Sequence, residues 1–245
     1  MRCRVLKSHR LFGDPPHGCW RLRAVHNEPR SLCRFVQEFV YKRRTGEYAL
    51  HVGRGMKIRD SGMPDRQMWE GFFDAAIVLR RLGFSSTTED VADLGCGYGT
   101  FSIPAAQLTS GTVHAFDIDP DMVAATSASA RSLGLSNVRA VERDFVTEGT
   151  GLPAESIAYA MLFNVLHAED AAGLLRQVFR LLRPEGVLGI IHWVYDASTP
   201  RGPDLSIRPR PGQCSEWARQ VGFVSQEPPI MLPPYHYGLV ARKPG

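Results

Sequence analysis

Three glycines at alternate positions are the residues whose type and spacing first indicate chemistry in this chain. Gly95, Gly97 and Gly99 follow an apolar run that reaches Asp93, and a segment with apolar residues at helical spacing comes after them. Glycine adopts positive φ angles and has no Cβ, so such a turn can reverse the chain sharply and let a ligand approach the backbone. The pattern predicts a strand, a tight ligand-binding turn and a helix.

The composition of this turn distinguishes between two kinds of ligand. A dinucleotide-binding turn places a third glycine three residues after the second, whereas this chain has Thr100 there. Asp93 would also repel a diphosphate, and residues 91–106 contain no Lys or Arg to compensate. S-adenosylmethionine carries a sulfonium and an ammonium group and no phosphate, so an acid at the strand end favours it. A nicotinamide-dependent oxidoreductase stays open as the alternative enzyme class.

Three more strands are predicted after the glycine turn. Residues 111–116, 137–141 and 156–163 are mainly apolar runs, and each is followed by acidic or amide side chains. In an open parallel α/β sheet, ligands bind outside the carboxyl ends of the strands, where the strand order reverses. The polar residues after these strands are therefore the candidate binding groups.

The stretch DLGCGYG at residues 93–99 resembles motif I of the class I S-adenosylmethionine-dependent methyltransferases, and the later strand ends follow in that family's order. By this resemblance, Asp117 would accept hydrogen bonds from the ribose hydroxyls and Asp144 would accept one from the adenine amino group. The Phe145 amide would face the adenine ring, and Ile118 would pack on it. The predicted cofactor is S-adenosylmethionine, and its predicted binding residues are Asp93, Gly95, Cys96, Gly97, Gly99, Asp117, Ile118, Asp144, Phe145 and Asn164.

The resemblance covers roughly residues 60 to 245 and implies one α/β domain over residues 59–245. The expected fold is a doubly wound Rossmann-like sheet that is mostly parallel, with a C-terminal antiparallel hairpin strand. The late strands are expected around residues 223–226 and 237–242.

Residues 1–58 form a basic extension ahead of this domain. They contain 13 Lys and Arg against 4 Asp and Glu, a net charge of +9, whereas residues 59–245 contain 16 against 21, a net charge of −5. Apolar residues at helical spacing from Leu32 to Val40 predict an amphipathic helix within the extension. A basic segment can dock on nucleic acid or be a solvated appendage, so a nucleic-acid partner stays open but is not favoured.

A further helix is predicted over residues 65–82, entered through Pro64 and stopped by Gly83. By the resemblance, such a helix lies across the cofactor end of the sheet. Trp69 or Met68 would then cover the methionine arm of the cofactor. Ordinary packing against the sheet is the alternative, because aromatic residues on helices usually belong to the core.

One histidine follows the predicted fourth strand, and another lies at the end of a fifth strand predicted from the apolar run at residues 187–193; these two are the candidate general bases. Imidazole titrates near neutral pH, and a base is needed only when the methyl acceptor arrives protonated. His167 and His192 are therefore the predicted catalytic residues, although either can instead anchor a loop or bond to a carbonyl. Trp193 is expected to line an acceptor pocket or to finish the buried strand.

A proline-rich segment at residues 196–211 holds three arginines, at Arg201, Arg208 and Arg210. Prolines limit the freedom of a loop, so guanidinium groups held there can clamp a carboxylate or phosphate of the acceptor. A solvated basic loop is the alternative. With Trp193, these arginines are the predicted substrate-binding residues, and they make an acidic metabolite the first acceptor class to screen.

Composition excludes several other classes. Five cysteines without a Cys-x-x-Cys pair argue against both a disulfide framework and a metal site. No apolar run approaches the roughly eighteen residues of a membrane-spanning helix, so no membrane partner and a cytoplasmic location are expected. The sequence predicts methyl transfer to a small-molecule acceptor. The alternatives are a non-catalytic S-adenosylmethionine-binding module and a methyltransferase acting on RNA.

Overall fold

The computed structural model describes residues 19–24, 35–42, 48–51 and 64–245. The chain divides into two units, residues 1–57 and 58–245. The described strands of the first unit form an antiparallel sheet in the order β1-β2-β3. Their bounds are β1 (Cys19–Ala24), β2 (Phe35–Lys42) and β3 (Tyr48–His51).

The strand β2 corrects the helix predicted from Leu32 to Val40. Phe39 of β2 pairs with Trp20 of β1 on one side and with His51 of β3 on the other. Phenylalanine, valine and tyrosine favour strands. Apolar residues in so short a segment fit both the helical and the strand period, so its pairing with β1 and β3 decides between them. The prediction was therefore wrong over residues 35–42, and its remaining residues lie outside the described ranges.

The second unit is one mixed sheet flanked by helices. The sheet order is β10-β11-β8-β7-β4-β5-β6, and β9 pairs with β11. The strands are β4 (Val91–Leu94), β5 (Val113–Asp117), β6 (Val138–Glu142), β7 (Ile157–Phe163), β8 (Leu182–Trp193), β9 (Val224–Ser225), β10 (Ile230–Leu232) and β11 (His236–Arg242). The helices are α1 (Arg66–Glu70), α2 (Ala75–Arg81), α3 (Ser102–Leu108), α4 (Pro120–Ser132), α5 (Ala171–Leu181) and α6 (Pro211–Val221), with a short 3₁₀ helix at Leu205–Ile207.

The direction of the strands confirms the predicted fold class. β4 to β8 run parallel to one another, whereas β11 lies antiparallel to β8 and β10 antiparallel to β11. The chain leaves β4 toward β5 and β6 on one side and returns to β7 and β8 on the other. The strand order therefore reverses between β4 and β7, which is where ligands bind in such sheets.

The core lies on both faces of the central strands. All seven residues of β7 are buried, as its nearly continuous apolar sequence predicts for a central parallel strand. Helix α5 covers one face with Leu174, Leu175 and Val178, and Leu79 and Phe101 pack in the cluster on the other face. The carboxyl ends of β4 and β7 are thus fixed by packing on both sides.

The helix predicted over residues 65–82 is two short helices in the structure. Gly71 ends α1, and the Asp74 carboxylate caps α2 by accepting a hydrogen bond from the Ile77 amide at 3.0 Å. An aspartate that can cap offers the backbone an alternative to continuing the helix. Trp69 is buried, whereas Met68 is 39% exposed, so ordinary core packing describes Trp69 and Met68 lies at the surface.

Among the described residues, the longest helices are far too short and polar to cross a lipid bilayer.

Candidate functional site

The glycine turn after β4 has the backbone conformation that its sequence predicts. The φ angles of Gly95, Gly97 and Gly99 are +90°, +52° and +80°. The amides of Gly95 and Cys96 both donate to the Phe116 carbonyl of β5, at 2.8 and 2.9 Å. The turn is therefore anchored to the neighbouring strand at the edge where β4 and β5 end.

Close packing fixes the turn from two further sides. A Cβ atom at Gly95 would lie 2.6 Å from Cγ1 of Val165, in the loop after β7, and one at Gly99 would lie 2.9 Å from Oγ1 of Thr126, on α4. The Thr126 hydroxyl also donates to the Gly97 carbonyl at 2.9 Å. Sequence reasoning missed Val165 and Thr126, because neither has a local signal and both act through tertiary contacts.

Asp117, at the end of β5, binds the turn directly. Its Oδ2 accepts from the Gly97 amide at 2.8 Å and its Oδ1 accepts from the Asp119 amide at 3.0 Å. Burial raises the pKa of Asp117, and these backbone amides lower it in part. An ionised carboxylate has about four acceptor sites, so capacity remains for hydroxyl donors of a ligand.

Asp93 lies beneath the turn. Its side chain is 2% exposed, and its Oδ2 accepts a hydrogen bond from the Ser102 hydroxyl of α3 at 2.5 Å. Burial raises the pKa of Asp93 to about 7, and the negative charge of Asp117 raises it further, whereas Ser102 lowers it. The hydrogen-bonded oxygen of Asp93 faces α3. Direct contact of Asp93 with a ligand therefore stays a prediction.

Replacing Asp93 by asparagine should remove a pH-dependent cost of folding. An acid whose pKa is higher in the folded state destabilises the fold progressively between about pH 4 and pH 7, because only the unfolded chain ionises freely there. We expect Asp93→Asn to raise the free energy of unfolding by roughly 2–4 kcal/mol over that of the native chain at pH 8. At pH 4 the two should differ little. Urea unfolding at both pH values measures this, and an equal difference at the two would contradict it.

The segment after β6 lies against the end of β5. The Arg143 amide donates to the Asp117 carbonyl at 2.7 Å, which brings Asp144 close to the end of β5. Asp144 Oδ1 accepts from the Val146 amide at 3.2 Å and shapes the turn after β6. Phe145 is buried and Ile118 is half-buried. The structure therefore brings together the two acids and two apolar residues assigned to the nucleoside, and their contacts with it stay predictions.

Asn164 provides a test of whether the site is built for a polar ligand. It follows β7 with a φ angle of +59°, and its amide donates to the Ile191 carbonyl at 2.7 Å. Its side-chain Oδ1 and Nδ2 are buried, yet neither has a hydrogen-bond partner among the described residues. Buried side-chain amide groups normally have hydrogen-bond partners. A ligand with both donors and acceptors at the reversal of strand order would satisfy Asn164, and S-adenosylmethionine fits that requirement.

Cys96 serves the turn as a packed thiol. Its Sγ lies 3.7 Å from the Thr126 hydroxyl oxygen, and burial raises the pKa of Cys96. The thiol therefore stays protonated and acts through packing in the turn.

His192 lies deeper in the fold than a general base at an open site would. His192 is fully buried, and its pKa is held well below the ordinary value by burial first and then by the nearby His167. Its ring lies 5.6 Å from that of His167, between centroids. His192 has no accessible surface and His167 lies nearer the surface, so His167 is the better placed of the two, and a role of either as a base stays a prediction.

Trp193 is a core residue and does not line an open pocket. It is 1% exposed, and its ring centroid lies 4.2 Å from that of His236 and 6.4 Å from that of Trp69. Burial lowers the pKa of His236 to about 3, so it is a neutral packing partner. The pairing of His236 with Trp193 depends on the register of β11 on β8, which the sequence does not show.

Arg208 is a structural residue of the proline-rich loop rather than an open clamp. It is 6% exposed, and all three of its guanidinium nitrogens donate within the loop. A guanidinium has five N–H donors, and six contacts account for them, so none is left for a ligand. The acceptors are the carbonyls of Val194, Asp196, Arg201 and Pro203 and the hydroxyl of Thr199.

The other two arginines lie at the surface of the loop. Arg201 and Arg210 are exposed, and the guanidinium of Arg210 lies over the ring of Tyr195 at 3.7 Å. Binding of an acidic acceptor by Arg201 or Arg210 stays a prediction, whereas the donors of Arg208 are already used within the loop. An exposed stacked arginine is worth about 1 kcal/mol or less, so Arg210 mainly covers Tyr195.

A cleft of about 350 Å³ opens beside the loop after β7. Its lining comes from residues 166–172, from residues 206–209 and from Gln213 and Trp217 of α6. His167 belongs to this lining, whereas His192 and Trp193 do not. We call it the α5–α6 cleft, and sequence reasoning missed it because its two walls are about forty residues apart in the chain.

Comparison with known proteins agrees with this geometry. Residues 91–186 match the family model described as a methyltransferase domain. The chain is 34% identical over 116 residues to aklanonic acid methyltransferase DauC from Streptomyces sp. (strain C5), covering 46% of this chain and 52% of that protein. The chain thus spans about half the length of this curated relative.

Solved structures share the fold. A SAM-dependent methyltransferase from Aquifex aeolicus superposes with a TM-score of 0.64 at 22% identity, covering 73% of this chain and 93% of that one. The cyclase SpnF superposes with a TM-score of 0.59 at 19% identity, covering 76% and 84% of the two chains. Since SpnF is a cyclase by name, the fold by itself does not decide the chemistry.

Proposed function

We propose that this chain, which carries a class I S-adenosylmethionine-dependent methyltransferase domain, transfers a methyl group from S-adenosylmethionine to a small-molecule acceptor. The observation that carries the proposal is the glycine turn at the reversal of strand order, with Asp117 on one side and the unsatisfied amide of Asn164 on the other. A turn without Lys or Arg in residues 91–106 disfavours a dinucleotide.

The cofactor supplies a methyl group already activated by its positively charged sulfur. The residues that would hold it are those of the glycine turn, together with Asp117, Asp144 and Asn164. In this arrangement the protein's contribution is to orient the reactants and exclude water. The buried acids and the packing of Val165 against Gly95 give the site a fixed shape for that task.

On the acceptor side, His167 is the better placed of the two candidate bases. It is buried, yet it lies in the wall of the α5–α6 cleft. A neutral imidazole in such a wall could accept a proton from an acceptor hydroxyl or ammonium group. An acceptor whose attacking atom carries no proton would not need it.

Replacing Asp117 by alanine tests the cofactor site. The change removes the acceptor for the Gly97 amide and for the predicted ribose hydroxyls, so we expect S-adenosylhomocysteine to bind roughly ten-fold or more weakly. Asp121→Ala is the control, since Asp121 is an exposed acid in the first turn of α4. Isothermal titration calorimetry measures both variants, and unchanged affinity in Asp117→Ala would argue against the assignment.

Turnover separates an enzyme from a binding module. Methyl-labelled S-adenosylmethionine, incubated with the chain and a panel of small hydroxyl and amine compounds, should give a labelled product. Binding of S-adenosylhomocysteine with no labelled product across the panel would favour the regulatory alternative. Calorimetry with NAD tests the oxidoreductase alternative. We expect no binding of NAD.

A further inference from the structure

We infer that His236 binds the methyl acceptor, and that the acceptor is a planar aromatic molecule with a hydroxyl or carbonyl group that hydrogen-bonds to the imidazole. The inference rests on the proposed function only where it identifies the bound molecule with the acceptor. The ring-lined site around His236 and its hydrogen-bonding chemistry follow from the fold.

His236 is a buried side chain whose polar atoms are unused. It is the first residue of β11 and has no accessible surface. Neither its Nδ1 nor its Nε2 has a hydrogen-bond partner among the described residues. Burial lowers the pKa of His236 to about 3, so near neutral pH its ring is uncharged and offers one donor and one acceptor. Buried polar groups normally have partners, and a ligand with a hydroxyl or carbonyl group would supply one.

The rings around His236 suit a flat apolar ligand. The ring centroids of Trp193 and Phe73 lie 4.2 and 4.7 Å from that of His236. Those of Trp69 and Phe72 lie 5.7 and 5.9 Å away. Aromatic rings attract one another in such tilted and edge-on arrangements. An aromatic ligand at this place would therefore find the same kind of contact.

This ring cluster continues to the glycine turn. Phe101 follows the turn, and its ring centroid lies 5.3 Å from that of Phe73 and 4.7 Å from that of Phe163. Phe163 ends β7 and directly precedes Asn164. In the sheet, β8 and β11 lie on the opposite side of the reversal of strand order from β5 and β6, where the acids assigned to the nucleoside are. A ligand at His236 would therefore lie on the side of the cofactor site away from the nucleoside.

His236 and His167 approach the end of β8 from different faces. His192 and Trp193 are consecutive in β8, so their side chains point to opposite faces of the sheet. The ring of His192 lies near that of His167, whereas the ring of Trp193 lies near that of His236. An acceptor held at His236 would have to reach across the strand ends to meet a base at His167. Binding at His236 is therefore tested independently of that base.

A short segment covers the ring cluster. Residues 64–73, which we call the aromatic cover, contribute the rings of Trp69, Phe72 and Phe73. Among the described residues, two side-chain hydrogen bonds join the cover to the rest of the domain. The Tyr98 hydroxyl donates to the Pro64 carbonyl, and Arg66 donates to the Ser129 hydroxyl, both at 3.3 Å. Few polar contacts thus oppose displacement of the cover, and the ring of an acceptor would take the place of its rings.

Two fluorinated probes with the same ring test the hydrogen bond. At pH 7 4-fluorophenol keeps its hydroxyl proton, and fluorobenzene has no hydroxyl. A phenol loses hydration in an apolar site, so it binds more tightly than fluorobenzene only if the site supplies a partner. We would titrate the full chain with each probe in the presence of S-adenosylhomocysteine, followed by fluorine NMR. We expect 4-fluorophenol to bind roughly five-fold more tightly. Equal binding of the two probes, or binding of neither, would overturn the inference.

Replacing His236 by phenylalanine assigns the binding to this residue. His236→Phe keeps a ring and removes both nitrogens, so the preference for 4-fluorophenol should disappear. His236→Gln keeps a donor and an acceptor and should retain part of the preference. His114→Phe is the matched control, since His114 lies near the amino end of β5 with its Nε2 2.9 Å from Asp90. It should bind both probes as the native chain does. A preference that survives in His236→Phe would count against His236.

Nitrogen NMR of the native chain gives a readout that packing alone would not move, and it needs no variant that must fold. On addition of 4-fluorophenol the ring-nitrogen resonances of His236 should shift, because one of these nitrogens gains a hydrogen bond. Fluorobenzene should shift them less at the same occupancy. Unchanged resonances with 4-fluorophenol bound would place the probe elsewhere and overturn the inference.

Binding of S-adenosylhomocysteine separates this inference from the proposed function. It should bind His236→Phe as it binds the native chain, since His236 lies outside the glycine turn and the acids after β5 and β6. Failure of S-adenosylhomocysteine to bind the native chain would contradict the proposed function, and titrations of the probes alone would still test the site at His236. Normal binding of S-adenosylhomocysteine without binding of 4-fluorophenol would overturn the inference and leave the proposed function standing.

Discussion

Replacing Arg208 by lysine is expected to lower the free energy of unfolding by roughly 2–4 kcal/mol, although the positive charge is kept. The buried guanidinium bridges carbonyls on both sides of the proline-rich loop, from Val194 to Pro203. A lysine has three donors on one nitrogen and cannot reach acceptors spread around a planar fork. Each carbonyl left buried without a donor would lose part of the stabilising free energy of its hydrogen bond.

The loop itself should respond more than the rest of the domain. Gly202 packs so closely on Trp193 that a Cβ there would lie 2.8 Å from the indole ring, so releasing the loop would uncover that ring. Hydrogen exchange followed by mass spectrometry compares Arg208→Lys with the native chain. The increase in exchange rate should be larger in residues 194–207 than in β7. Urea unfolding gives the total change in stability.

Arg210→Lys is the matched control for this prediction. Arg210 is exposed and stacks on Tyr195, so its replacement should change the free energy of unfolding by less than about 1 kcal/mol. Equal effects of the two substitutions would mean that the hydrogen bonds of Arg208 do not hold the loop.

The sequence predicted the cofactor end of the sheet well because its signals there are local. Alternate glycines determine where positive φ angles occur, and the unbroken apolar run of β7 determines burial on both faces. Asp117 is the last residue of β5, so its place at the strand end needed no knowledge of distant contacts. For the same reason the two acids at adjacent strand ends were found together.

The failures all concern residues whose role depends on distant partners. The segment at Phe35–Lys42 fits both a helical and a strand period, and its pairing with β1 and β3 decided between them. Three arginines in one loop look alike in the sequence, and only the path of the loop shows that Arg208 is the buried one. His192 lies near the end of a strand as a catalytic base would, but only the packed structure shows that it is fully buried.

Replacing Gly95 by alanine should disable the cofactor site more severely than any other single methyl addition at the turn. The new Cβ would lie 2.6 Å from Cγ1 of Val165 while the backbone holds a φ angle of +90°. An alanine at positive φ costs about 1–2 kcal/mol, and the contact adds the cost of displacing the loop after β7. We expect roughly 2–4 kcal/mol of lost stability and at least a ten-fold loss of S-adenosylhomocysteine affinity, measured by urea unfolding and calorimetry.

Gly134→Ala isolates the backbone part of this effect. Gly134 has a φ angle of +67°, but no atom lies within 4 Å of the position of its Cβ. The control should therefore lose about 1 kcal/mol of stability and no affinity for S-adenosylhomocysteine. A loss of affinity in Gly134→Ala equal to that in Gly95→Ala would mean that strain anywhere in the domain disturbs the site.

The double substitution Gly95→Ala with Val165→Ala isolates the steric part. Shortening Val165 removes the atom that the new Cβ meets, while the positive φ angle at position 95 remains. The double variant should recover part of the affinity lost by Gly95→Ala, because the loop after β7 can return to its place beside Asn164. If the double variant binds no better than Gly95→Ala, then the packing of Val165 on the turn does not shape the cofactor site, and backbone strain alone accounts for the loss.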